Sequence, residues 1–150
     1  MTGVEIDMIV SNSLEALKLY EDIFKVERIE VTDFETGQNE AIFSIYSGCF
    51  HLLDENPQYG LIAPRPGDNK SMWVNVMVPD IEATYTKAIN AGCSAIQPVT
   101  NLPDFGVSNA MFSDPFGYIW MIHQVHKDVC YEDRMELMKK NMSNDLKNDK

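Results

Sequence analysis

Two carboxylates, Glu5 and Asp7, stand two residues apart in the stretch VEIDMIV near the N-terminus. Two histidines, His51 and His123, lie in apolar runs, CFHLLDE and IWMIHQV. Strand alternation puts Glu5 and Asp7 on one face. If that face is concave, neighbouring negative charges raise one pKa and create an acid–base candidate; at a solvated rim they are surface charges. An imidazole titrates near neutrality and can act as a general base, which makes His123 and Glu5 the catalytic candidates. The plainer role for His123 and His51 is a hydrogen-bonded histidine on a strand. His123, His126 and Cys130 have a spacing that invites a zinc reading. Residues three apart on a strand face opposite sides, however, and no CxxC accompanies them. Cys130 with Asp133 three residues later reads as the start of a helix.

These side chains need elements to place them. Residues 4–10 alternate as a strand, and SNSLEALKLYEDIF then switches to helical spacing, with Asn12 and Glu15 as a capping pair and Leu14, Leu17, Tyr20 and Phe24 on one face. Residues 26–32 are β-branched, and AIFSIYSGCFHLLDE reads as two strands joined at Ser47–Gly48. A Pro-, Gly- and Asn-rich loop covers 55–70, and the order then repeats. MWVNVMV is a strand, and Asp80 caps a helix with Ile81, Tyr85, Ala88 and Ile89 inward and Gly92 at its end. SAIQPV is a strand, and two more, about 107–113 and 118–124, flank the turn Asp-Pro-Phe-Gly. Each half has one helix and one curved sheet, so helices cover one sheet face and the concave faces meet around a cavity. The expected fold is α+β, two βαβββ repeats at about 4–54 and 71–124 forming curved mixed sheets around a cavity. A C-terminal helix at about 130–141 carries Tyr131, Met135, Met138 and Met142 at helical spacing, for docking on the sheet or on a partner subunit. One domain therefore spans 1–142, and 143–150 is a polar, flexible tail.

Composition narrows the partners. The formal net charge is −11 and no basic patch exists, which disfavours nucleic acid and anionic membrane. No apolar run reaches the ~20 residues of a membrane span, and MTGVEIDMIV lacks the pattern of a signal peptide. Three scattered cysteines do not make a disulfide framework, so a reducing cytoplasm is expected.

The ordered segments IVSNSLEALKLYEDIF, GCFHLLDEN and VPDIEATYTKAINAGCSAIQPV, closed by DPFGYIWMIHQVHKDV, resemble the vicinal oxygen chelate superfamily. That superfamily includes glyoxalase I, bleomycin-resistance proteins, fosfomycin-resistance enzymes and extradiol dioxygenases. The closing segment is most similar to the PhnB-like branch. The resemblance implies a homodimer that shares or exchanges sheets. In the metal-dependent members it implies four ligands from equivalent strands, which fall here on Glu5, Ser44, Trp73 and Met121. Of these only Glu5 suits a hard divalent ion. The expectation is therefore a metal-independent protein without cofactor, similar to the bleomycin-resistance type, that binds a small organic ligand. Glu5, Ser44, Tyr46, Trp73, Asn75, Met121 and His123 would line its pocket, with Phe105 in NLPDFGVSN as a possible lid. The competing expectation is an enzyme of the superfamily, a lyase, transferase or dioxygenase, whose metal sits on ligands drawn from Glu5, Asp7, His51 and His123.

Overall fold

In the computed structural model, which describes residues 2–65, 67–68 and 70–149, the chain folds as the repeat predicts. The first half runs β1 (Glu5–Val10), α1 (Ser13–Ile23), β2 (Val26–Val31), β3 (Glu40–Ile45) and β4 (Gly48–Asp54). The second runs β5 (Val74–Met77), α2 (Ile81–Asn90), β6 (Ser94–Leu102), β7 (Val107–Ser113) and β8 (Ile119–Val125), and α3 (Tyr131–Asn148) follows. The sheets have the matching orders β1-β4-β3-β2 and β5-β8-β7-β6, each with one parallel pair and two antiparallel pairs. Each unit is thus βαβββ, with its first strand inserted beside its last.

Helix starts follow local chemistry. The Asn12 side chain accepts from the Glu15 amide at 3.1 Å, and Asp80 accepts from the Ala83 amide at 3.0 Å. The repeat extends to a second contact at each start. The Ser13 amide donates to Asp54 at 2.7 Å, and the Ile81 amide donates to Gln124 at 2.9 Å. In each half, then, the last strand supplies a side-chain acceptor to the first turn of the helix, and Asp54 and Gln124 are equivalent positions.

The core differs from the sequence reading in detail. On α1 the buried stripe is Ser13, Ala16, Leu17, Leu19, Tyr20 and Ile23, while Leu14 is only half-buried. On α2, Thr84 is buried and Ile89 is 37% exposed, because the Thr84 hydroxyl finds the Asp80 carbonyl at 2.9 Å and needs no water. The β3–β4 turn falls on Tyr46–Ser47 rather than Ser47–Gly48, and Tyr46 takes φ = 51°. Strand β6 runs on to Leu102 through two register shifts. Helix α3 continues to Asn148, through residues expected to be a loose tail; the segment contains neither Gly nor Pro to stop it.

The two halves share one core. Tyr20, Phe24 and Phe50 all pack on Trp120 with ring centroids 4.9, 5.2 and 6.0 Å away, and Trp120 is fully buried. This junction lies on the helix-bearing faces, and α1 also packs on α2. The opposite faces therefore point outward, while Phe50 of β4 meets Trp120 of β8 across the junction. The cavity expected between the concave faces is not enclosed by a single chain.

Candidate functional site

Burial separates the two faces of each sheet cleanly. In β1, Met8 and Val10 go to the core, which leaves Glu5, Asp7 and Ile9 on the open face. In β4, Phe50, Leu52 and Asp54 are buried, which leaves Cys49, His51 and Leu53 open. The parallel register sets Glu5 beside Cys49 and Asp7 beside His51. His51 then becomes the centre of an acidic group. Its Nδ1 lies 3.1 Å from Glu5 Oε1 and 3.6 Å from Asp7 Oδ1, and its Nε2 lies 3.3 Å from Glu40 Oε2. Cys49 Sγ donates to Glu5 Oε2 at 3.6 Å, and burial, then the Glu5 hydrogen bond and charge, push the thiol pKa up. The donor atoms of Glu5, Asp7 and His51 all lie within 4.8 Å of one another.

Ser44 is displaced from this group. It pairs with Cys49, which in turn pairs with Glu5, so Ser44 stands two strands from Glu5, about 10 Å across the sheet. The equivalence of Asp54 with Gln124 explains the shift. Counting three residues back from each gives His51 and Met121, and both pair with the first strand of their half, at Asp7 and Asn75. Counting eight back from Ser13 and Ile81 gives Glu5 and Trp73. The repeat-related set is therefore Glu5 and His51 in one half, Trp73 and Met121 in the other. Sequence reading placed the second position on Ser44; its signal was the HLLD spacing, whose Asp caps the helix.

On the second sheet, Trp120 and Ile122 are fully buried, so Met121 and His123 face outward as the strand parity required. Their lateral neighbours are Asn75 and Met77 on β5, and Met111 and Asn109 on β7. Asn109 is occupied by Gln97, which donates to it at 2.7 Å. His123 Nδ1 is buried and has no hydrogen-bond partner, alone in this respect among the described side chains. His126 turns the other way and meets Ser108 Oγ at 2.8 Å on the core side of β7, so the two histidines do not converge. Trp73 stands one residue before β5 and is 52% exposed. Tyr46 and Asn75 share a cleft of about 300 Å³ with Ile6 and Met77. Phe105 lies in a single 3-10 turn, Pro103–Phe105, against which α3 packs, and does not cover the open face. Cys130 precedes α3 without a side-chain cap bond.

The seven expected lining residues thus divide. Glu5 and Ser44 belong to the first open face, Asn75, Met121 and His123 to the second, Trp73 stands exposed just before β5, and Tyr46 and Asn75 meet at the cleft. A divalent metal finds two carboxylates and an imidazole in the first half. In the second half the equivalent positions offer an indole and a thioether, so a closed four-ligand site does not fit these residues.

The architecture has many relatives. The fosfomycin resistance protein FosX from Listeria monocytogenes is 14% identical with a TM-score of 0.63, over 89% of this chain and 98% of that one. A glyoxalase/bleomycin resistance protein/dioxygenase family enzyme from Burkholderia phytofirmans is 15% identical with a TM-score of 0.62, over 81% and 96%. The PhnB protein from Bacillus cereus is 14% identical with a TM-score of 0.59, over 82% and 99%. No curated protein matches the sequence. The family model for the glyoxalase/bleomycin resistance protein/dioxygenase superfamily matches residues 4–122. With that match, the paired βαβββ units and the shared sheet order, the chain belongs to the Glyoxalase/Bleomycin resistance protein/Dioxygenase superfamily.

Proposed function

We propose that this protein binds a small organic molecule without a metal, at the β5–β8 face and the cleft beside it. His123 supplies the polar anchor, Trp73 and Met121 the apolar contact, and Asn75 and Tyr46 further hydrogen-bonding groups. The observation that carries this reading is the partnerless Nδ1 of His123. Leaving a buried polar atom unpaired costs about 1–3 kcal/mol, and a fold retains such a cost where a ligand needs the group. Protonating Nδ1 would bury an unpaired N–H as well. The tautomer with the proton on Nε2 avoids this and leaves Nε2 as a hydrogen-bond donor. A donor flanked by Met77, Met121 and an amide suits a neutral or weakly polar carbonyl-bearing molecule. The PhnB-like branch and the cytoplasmic setting are part of the same reading.

Replacing His123 by Leu tests it. Removal of an unpaired imidazole is expected to raise stability by about 1 kcal/mol, read as a higher unfolding midpoint. A clear loss of stability would mean the ring is structurally satisfied, and the reading would fail.

The group around His51 favours a second reading, a metal held by Glu5, Asp7 and His51 with one or more open positions. Such an ion would act as a Lewis acid on a substrate oxygen. Thermal unfolding with added Mn(II), Ni(II) or Zn(II) separates the two. The first reading expects no shift of the midpoint. A rise that the Glu5→Gln and His51→Ala variants both abolish would establish the second.

A further inference from the structure

The two sheets differ in charge. In a chain of net charge −11, every strand of the first sheet carries a charged side chain, whereas β5, β6, β7 and β8 contain no Asp, Glu, Lys or Arg. The open face of the second sheet is built instead from Met77, Met111 and Met121 with His123 and side-chain amides. An ionised group brought onto such a face loses water and gains no counter-charge, so the face favours neutral molecules.

The amides are polarised in one direction. Thr100 Oγ1 donates at 3.0 Å to the Pro98 carbonyl, which can only accept, and so offers its lone pairs to Gln97. Gln97 Nε2 donates to Thr100 Oγ1 at 3.3 Å and to Asn109 Oδ1 at 2.7 Å. Asn109 therefore holds its oxygen toward β6 and keeps its Nδ2 protons, which no described residue accepts. Across β7–β8 Asn109 pairs directly with His123, which sets the two Cβ atoms about 5 Å apart. His123 offers Nε2–H, since its buried Nδ1 has no partner. Two donors thus stand side by side among methionines.

We propose that, granted ligand binding at this face as set out above, Asn109 and His123 form a two-donor site for a neutral ring bearing two carbonyl oxygens, as in a cyclic imide. Gln97 is the positioning residue that makes Asn109 a donor. Met77, Met111 and Met121 supply adaptable sulfur contacts to the ring.

Titration of protein carrying 13C-methyl methionine tests it, with the Met77, Met111 and Met121 signals as reporters. N-methylphthalimide has two carbonyls and no donor, indole has a donor and no carbonyl, and phthalate carries charge on a similar ring. The wild type is expected to bind N-methylphthalimide about 10-fold or more tighter than indole or phthalate. Gln97→Glu is nearly isosteric but accepts where Gln97 donates, so Asn109 turns its NH2 to position 97 and its oxygen to the face. The preference of this variant for N-methylphthalimide over indole is expected to fall by about 10-fold or more, a change that loosened packing alone would not produce. Asn109→Leu removes one donor and is expected to weaken N-methylphthalimide while leaving indole unchanged. Equal binding of the three probes by the wild type, or an unchanged preference in either variant, overturns the two-donor site while ligand binding at the face stands. No shift of the three methionine signals with any probe overturns the binding face and the two-donor site together.

Discussion

At the scale of single residues, acids in this protein do unlike work according to the donors around them. Asp54 is buried, which by itself would raise its pKa. Amides of Ser13, Gly37 and Asn39 donate to its two oxygens at 2.7–3.0 Å and hold the carboxyl below its ordinary value. A depressed folded pKa contributes stability above the unfolded value of about 4, and that contribution is lost as pH falls through the folded value. Acid titration of the unfolding free energy is therefore expected to show a decline below about pH 4. The Asp54→Asn variant is expected to be less stable at neutral pH and to flatten that decline. Glu5, Asp7 and Glu40 instead surround a histidine on an open face. Their meeting was not legible in the sequence, because Glu5 and His51 are 46 positions apart and only the parallel β1–β4 register joins them. Parity along the strand, by contrast, correctly set Met121 and His123 against Trp120 from the sequence alone.

At the scale of elements, the last hairpin turn shows how much a short motif can carry. Asp114 of Asp-Pro-Phe-Gly accepts from the amides of Phe116 and Tyr118 at 2.8 and 3.0 Å, which shapes the turn. Gly117 closes it at φ = 97°, and a Cβ there would stand 2.9 Å from Pro64 Cβ in the connector between the halves. Gly117→Ala thus meets both backbone strain and a packed neighbour. It is expected to cost about 2 kcal/mol, measured by denaturant unfolding. Tyr46 shows the reverse case, a bulky residue at φ = 51° in a two-residue turn where sequence reading would put glycine. That choice misplaced the turn by one residue. Turn chemistry predicts the cheapest residue for a conformation, and here the chain keeps a tyrosine that lines the cleft with Asn75.

At the scale of the molecule, the same turn residue joins the two halves. Asp114 Oδ2 accepts from Tyr20 Oη of α1 at 2.6 Å and from Trp120 Nε1 of β8 at 2.9 Å, in a site where both rings are fully buried. Burial, then the Asp114 charge and hydrogen bond, raise the Tyr20 pKa well above its usual value, so Tyr20 remains a donor. Asp114→Asn would set an amide N–H₂ or a poorer acceptor against two buried donors. The expected loss is about 3 kcal/mol or more, together with separate unfolding of the halves, detectable as non-coincident Trp fluorescence and circular dichroism transitions.

The sequence by itself determined the repeat, the element order, the caps at Asn12 and Asp80, and the parity that sets Met121 and His123 against Trp120. These follow from local periodicity and from side chains bonding a few residues away. Only the tertiary structure decided which candidates meet, because strand insertion pairs residues far apart in the chain. It put His51, not Ser44, beside Glu5. The aromatic junction at Trp120 turned both concave faces outward, and the expected lining residues fell on two separate surfaces. An apolar stripe seen in the sequence fixes that a helix is amphipathic; which way the stripe points depends on how the chain leaves β8.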